Sequence, residues 1–427
     1  MSYKGTPTFY GINLVKDRMP HKGTPIHYAL KRVWNRMPQP DPMNPANPDP
    51  SRALTVVQML PALESGGVER GTLEVGKYLV EHGHRSIVIS AGGRLVPQLE
   101  REGSEHITWD VGRKSLFTPL RYVRRLRRFL QENRVNILHV RSRMPAWVAY
   151  LAWKGMNPAA CPHLITTVHG PYSANCYSAV MTRGERVIAI SEMIVDYIRN
   201  NYPATPPERI RLIYRGVDPA QFPHGFQPSA EWMENWRREY PQLTGKKVLA
   251  LPARLTRWKG QTDFIELMAS LVLSGQNVHG LIVGEAHPRR RDFLAELQTL
   301  CRNHGMEQHV TFTGHRADLR EIMAASDIVL SLSREPEAFG RVTLEALSLG
   351  KPVVAYDHGG VKEQLAAILP EGAVAVGDVA AATRKTAEWL SAPPQVPAHN
   401  PFTLERMLSA TLGVYQELAE TQCKPDS

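Results

Sequence analysis

From Leu54 onward the chain alternates short apolar runs with stretches of helical period. Leu54–Leu60, Ser86–Ser90, Asn136–Val140, Leu164–Val168 and Arg186–Ile190 read as strands. Val68–Glu81 carries apolar residues at helical spacing and stops at Gly83. The pattern then restarts, with strands expected at Lys247–Leu251, Val278–Val283, Val310–Thr313, Ile328–Leu332 and Pro352–Ala355. Strands apolar on both faces and separated by helices imply a parallel sheet covered on each side. Two such series predict an α/β protein of two Rossmann-like domains facing across a cleft, where ligands bind beyond the strand ends. The expected limits are 51–225 for the first domain and 226–400 for the second. A C-terminal helix and tail, 401–427, is expected to pack back on the first domain. Phe222 to Leu243, rich in Pro and Trp, marks the boundary, with a hinge near residue 225.

Residues 1–50 break the pattern. They hold nine prolines, seven Lys or Arg and three acids, and almost no sustained apolar periodicity. Lys4-Gly-Thr-Pro7 recurs as Lys22-Gly-Thr-Pro25 and Arg18-Met-Pro20 as Arg36-Met-Pro38, a duplication at an offset of 18 residues. Two short copies cannot build a solenoid, which needs at least three stacked units. A loosely ordered basic arm, or a basic-aromatic docking element, fits this composition. Residues 39–50 read as a linker.

Composition narrows the setting. The 427 residues include 51 Lys or Arg against 41 Asp or Glu, a net charge of +10, which points to an anionic partner. No zinc-finger, RNP or strong helix-turn-helix pattern accompanies that charge, so nucleic acid is set aside. Cys161, Cys176, Cys301 and Cys423 are scattered without a C-x-x-C pair, so neither disulfides nor a zinc site are expected, and a reducing cytosol is. The longest apolar stretch, Pro145–Trp153, is too short to span a bilayer, and nothing near Met1 resembles a secretory leader. The expected location is cytoplasmic, with a peripheral position at the inner face of a membrane.

Three segments carry candidate chemistry. Glu64-Ser-Gly66-Gly67-Val-Glu-Arg70 follows a strand and opens a helix, where backbone N–H groups approach an anion. Taken alone it reads equally well as a tight turn, and it lacks the G-x-G-x-x-G and P-loop signatures. Arg254-Leu-Thr-Arg-Trp-Lys259-Gly260 places cations at the end of a strand, as a diphosphate clamp requires. Glu337-Ala-Phe339-Gly340-Arg-Val-Thr-Leu-Glu345 places one carboxylate on a loop and another on the following helix, eight residues on. The two can face one ligand, with phosphate between them at the amides near Gly340.

E-x-F-G-x-x-x-x-E, following R-x-x-x-x-K-G, resembles the family 4 retaining glycosyltransferases of the two-domain GT-B fold, over roughly residues 54–415. The resemblance implies that Arg254 and Lys259 bind the donor pyrophosphate, Glu337 the donor sugar and Glu345 the ribose. It places the amides of Gly66 and Gly67 near the phosphates, and it counts Phe339 and Gly340 with the donor site. Thr167-Val-His169-Gly170 matches a segment that sets a histidine near the sugar, making His169 and Glu337 the candidate catalytic pair. Arg215-Gly216-Val217-Asp218 matches a stretch that usually begins with Asn, so Arg215 is a departure. The activity implied is hexosyl transfer with retention from a nucleotide-diphosphate sugar to a glycan or glycolipid hydroxyl, in lipopolysaccharide or other envelope glycan synthesis. No cofactor is called for. No D-x-D occurs, so no visible motif requires a metal.

The remaining charge concentrates in Leu116–Leu130, an amphipathic helix candidate with Arg121, Arg124, Arg125, Arg127 and Arg128. It reads either as a core-facing helix with a solvated basic face or as a contact for anionic lipid. Rival activities on the same scaffold are a sugar-nucleotide epimerase, a glycan phosphorylase and a non-catalytic sugar-nucleotide binder.

Overall fold

The computed structural model describes residues 53–113, 117–286, 291–421 and 423, and of 117–120 and 291 the backbone alone. The 1–50 arm and its duplication lie outside the described residues. Seven parallel strands form the first sheet: β1 (Thr55–Met59), β2 (Arg85–Ser90), β3 (Glu105–Thr108), β4 (Ile137–Val140), β5 (His163–Val168), β6 (Arg186–Ala189) and β7 (Ile210–Leu212), in the order β3-β2-β1-β4-β5-β6-β7. Six form the second: β8 (Lys247–Pro252), β9 (Val278–Val283), β10 (Val310–Gly314), β11 (Ile328–Ser331), β12 (Val353–Tyr356) and β13 (Ala373–Val374), in the order β10-β9-β8-β11-β12-β13. The expected α/β class with two Rossmann-like sheets is what the chain adopts. In each sheet the strand order reverses beside the first strand, β1 or β8, and a crevice opens there at the carboxyl ends.

The central strands have the apolar character that two covered faces demand. Val56, Val57 and Met59 of β1, and Leu249 and Ala250 of β8, are wholly buried. Three strands absent from the hydrophobic pattern, β3, β7 and β13, are edge strands. Each is short, with residues largely half-exposed, so each has too little apolar sequence to register as a periodic run.

The chain passes between the sheets twice, and the two crossings are paired. The first follows β7, and Val217 N–H donates to Phe402 O at 3.0 Å while Leu404 N–H donates to Val217 O at 2.8 Å. Gly216 permits that approach, since a Cβ there would lie 2.1 Å from the carbonyl oxygen of Thr403. After the second crossing the helix Leu404–Ala419 returns to the first sheet. Met407, Leu408, Leu412, Tyr415 and Leu418 cover Val56, Ile137, Ile165 and Ile188. Tyr78 O–H donates to Glu405 at 3.2 Å, and Glu417 pairs with Arg186 and with Arg211.

The cysteines correct the sequence reading. Cys161 and Cys423 form a disulfide across 262 residues, fixing the end of the C-terminal segment to the entry of β5. Spacing rules detect cysteines close in sequence, and only the returning C-terminal segment brings these two together. The argument from cysteine usage to a reducing compartment loses its premise. Cys176 is free and exposed, Cys301 free and buried. Among the described residues no helix is long and apolar enough to cross a membrane.

Truncating a side chain beneath the returning helix reports its contribution to the first domain. Leu412→Ala is expected to lower unfolding free energy by about 2–4 kcal/mol in urea titration, the range for emptying a buried leucine site.

Candidate active site

Between the carboxyl ends of the two sheets lies a cleft of about 630 Å³. Gly67, His169, Arg254, Lys259, Glu337, Phe339, Gly340 and Glu345 all line it, so the sequence candidates from both halves converge. Gly66, between the lining residues Ser65 and Gly67, is the N-cap of the helix Gly67–Glu81. Among the described residues no side chain caps that helix, which leaves its first N–H groups without a side-chain acceptor, while Glu69 of the first turn lies beside Gly66.

In the second domain the loop after β11 is held rigidly. Ser333 Oγ–H donates to Glu337 at 2.6 Å, and Lys259 Nζ meets the same carboxylate oxygen at 2.7 Å. Lys259 also lies over the Trp258 ring at 4.3 Å. His358 Nε2–H donates to the Ser333 carbonyl, and Gly360 N–H to that of Glu337 at 2.8 Å. Gly340 then starts the helix Arg341–Ser348 at φ +84°, a left-handed conformation that suits glycine, and an added Cβ would meet Val361 at 2.4 Å. The Phe339 ring is buried edge-on to Phe402. Arg254 is exposed in the cleft with no ion-pair partner among the described residues, whereas Arg257 of the same turn pairs with Glu296 on the next helix but one. The basic turn therefore offers two cations to a ligand, Arg254 free and Lys259 pre-paired.

Three cleft residues, Arg70, Arg341 and Thr343, escaped the sequence reading, and a fourth, Arg215, entered it only as a departure. Arg341 bridges the domains: its Nη2 meets Glu74 of the first at 2.5 Å and its Nε meets Glu345 at 3.2 Å. Burial pushes the Glu345 carboxyl above its ordinary range, against the pull of Arg341 and Arg70. Arg70 lines the cleft from the first domain, and the Thr343 hydroxyl, buried without a partner, lies in the first turn after Gly340. Arg215 reaches the cleft beneath His169, its Nη2 lying 3.0 Å from His169 Nδ1. Arg70, Arg341 and Thr343 stand inside the quoted motifs, so proximity to the glycines and Glu345 was an available signal.

Two family models match the chain in succession. The Glycosyltransferase Family 4 model covers residues 65–221, and the Glycosyl transferases group 1 model covers 233–400. The crystal structure of a glycosyltransferase from Rickettsia africae ESF-5 superposes with a TM-score of 0.77 at 30% identity, covering 87% of this chain and 100% of that one. The chain is a family 4 glycosyltransferase of the GT-B fold. An N-acetyl-alpha-D-glucosaminyl L-malate synthase from Bacillus anthracis is 27% identical over 322 residues, 71% of this chain and 78% of that protein. The lipopolysaccharide glucosyltransferase WaaG of Escherichia coli K12 is 33% identical over 156 residues, 35% of this chain and 38% of that protein. The relatives' names carry unlike acceptors, a small acid and a lipopolysaccharide, so kinship alone leaves the acceptor of this glycosyltransferase open.

The interdomain bridge yields a test in its own right. Arg341→Ala leaves Glu74 and Glu345 facing each other without the cation, at an expected cost of about 3 kcal/mol at pH 8. The Glu345 carboxyl, raised by burial in the folded state, binds a proton more readily there than when unfolded, so acidification restores stability. The deficit should shrink between pH 8 and pH 5 in urea titrations at both values.

Proposed function

We propose that the protein transfers a hexosyl group with retention from a nucleotide-diphosphate sugar to a hydroxyl of a glycan or glycolipid in envelope assembly, lipopolysaccharide above all. The observation that carries the reading is the single cleft joining Arg254, Lys259, Glu337 and Glu345 of one domain to Gly67 and His169 of the other. Arg254, Lys259 and the amides following Gly340 would take the diphosphate and stabilise the charge that develops as it leaves. Glu345 would hold the ribose and Glu337 the sugar. The acceptor oxygen bonds to the anomeric carbon as the bond to the diphosphate breaks on the same face, and the hydroxyl proton passes to the departing oxygen. These cations and helix amides would stand where other transferases use a metal.

The location proposed is the cytoplasmic face of the membrane, held there peripherally. The helix Phe117–Glu132 supports it and limits its form. Tyr122, Leu126 and Leu130 are buried, so this part of its apolar side belongs to the core, and only the basic side is offered outward. Arg121, Arg124, Arg125 and Arg128 are exposed. Arg127 leaves the set: its Nε and Nη2 donate to the carbonyls of Ala152 and Leu151 at 2.8 Å, docking this helix on the helix Arg143–Lys154. Such contact is electrostatic, without insertion.

Thermal stabilisation by UDP-, GDP- and ADP-sugars identifies the donor by mass action. With that donor, Glu337→Ala and Lys259→Ala should each lower transfer by about 100-fold or more while the melting curve stays cooperative. Near-normal turnover in either folded variant contradicts the assignment. Product analysis with and without acceptor separates transfer from epimerisation and phosphorolysis.

Vesicles with anionic headgroups should bind the protein at low salt and release it near 0.5 M salt, where the Debye length is roughly 4 Å against about 30 Å in 0.01 M buffer. Replacing Arg121, Arg124, Arg125 and Arg128 by Ala together should abolish that binding and leave donor affinity intact.

A further inference from the structure

His169 has one ring nitrogen engaged and one bare. Nδ1 lies 3.0 Å from Nη2 of Arg215, while Nε2 is buried with no partner among the described residues, in a residue that lines the cleft. A guanidinium has N–H donors and no acceptor. The contact therefore defines its own polarity: Arg215 donates, and Nδ1 accepts through its lone pair. A neutral imidazole carries a single N–H, so the proton must sit on Nε2, the atom left for a ligand.

We propose that Arg215 is a positioning residue that fixes His169 as the neutral Nε2–H tautomer, so that His169 serves the cleft as a hydrogen-bond donor to a ligand oxygen and not as a proton acceptor. Only the identity of that oxygen, a hydroxyl of the transferred sugar or of its acceptor, rests on the transferase reading above.

Arg215 is itself tightly placed. It stands immediately before Gly216 of the paired crossing, and its Nη1 packs where a Cβ on Gly71 would come within 2.2 Å. The same Nη1 lies 3.7 Å from Met407 Sδ on the returning C-terminal helix. Three elements thus hold the guanidinium against the imidazole. A residue with a side-chain carbonyl here, such as the Asn usual in this stretch of the family, would present both a donor and an acceptor and select neither tautomer.

The groups facing His169 oppose its protonation. Burial comes first, and Arg215, Arg141 and His139 act in the same direction, holding the imidazole well below its ordinary range. Arg141 is buried, with Nε donating to Gln58 at 2.9 Å. Burial likewise holds His139 well below its ordinary range, with Arg141 and Arg215 acting in the same direction, and its nitrogens are bonded to Tyr415 and Thr167 at 2.6 Å each. Tyr172, whose hydroxyl accepts from the His169 backbone N–H at 3.4 Å, is the remaining titratable neighbour, and burial pushes it up and out of the physiological range.

The test reads the proton directly. In the full-length protein with 15N-labelled histidines, the His169 ring is assigned by comparison with His169→Gln, and its two-bond proton–nitrogen correlations give the tautomer without any substrate. The expected result is a protonated Nε2 and a bare Nδ1, unchanged from pH 5.5 to 8. A proton on Nδ1, or a titration within that range, overturns the proposal. Arg215→Met should release the preference, and Arg215→Lys, which keeps a donor, should retain it. In transfer assays His169→Gln, whose amide sets an N–H near the Nε2 position, should stay within about tenfold of the parent kcat, and His169→Ala should lose about 100-fold. Equal losses in the two variants would instead indicate a base, which a glutamine cannot replace. If the parent transfers no sugar from any nucleotide donor, the transferase reading falls while the spectra still decide the tautomer.

Discussion

The pairing of the two interdomain crossings is the constraint on which the molecule depends. Val217 exchanges backbone hydrogen bonds with Phe402 and Leu404, and Gly216 removes the Cβ that would force the strands apart. Crossing twice at one place fixes which edges of the two sheets meet. The first crossing also sets Arg215 beside Gly216 and beneath His169, while Lys259 and Glu337 stand on the second domain. The cleft therefore has His169 on one half and the Lys259–Glu337 pair on the other.

Charge in the cleft is arranged by the same geometry. Arg341 reaches from the second domain to Glu74 of the first while still contacting Glu345. A cation between two carboxylates from different domains links the two halves of the cleft through one side chain. Under the function proposed above, a ribose at Glu345 would compete with Arg341 for that carboxylate and leave Glu74 to hold the arginine alone. Lys259 would have a comparable double role in the proposed reaction, neutralising Glu337 until a diphosphate offers it stronger charge.

Much of this could be read from the amino-acid sequence because the parts that matter are local. Buried parallel strands write themselves as unbroken apolar runs, which is why the central strands were visible and the edge strands β3, β7 and β13 were not. The donor-side residues from Glu337 to Glu345 lie within one loop and one helix, where spacing along the chain equals placement in space. What stayed hidden depends on distant segments. Nothing near Cys161 in sequence points to Cys423, and nothing near Glu74 points to Arg341. Arg215 stood out only as a departure from a familiar stretch, and its reason emerges only when the chain brings it beneath His169. The basic helix shows the converse: five arginines look alike in sequence, yet Arg127 alone turns inward to the carbonyls of Ala152 and Leu151.

The returning helix has a consequence for how the protein is made. The first sheet is the earlier part of the chain to emerge during synthesis, but the side chains that cover Val56, Ile137, Ile165 and Ile188 reside in Leu404–Ala419. Between the two, the whole of the second domain must be translated. For that interval the nascent first domain presents a bare apolar face, the kind of surface that invites aggregation or chaperone binding. Its fold closes only after Leu404–Ala419 has left the ribosome, so this domain, made before the second, is completed after it.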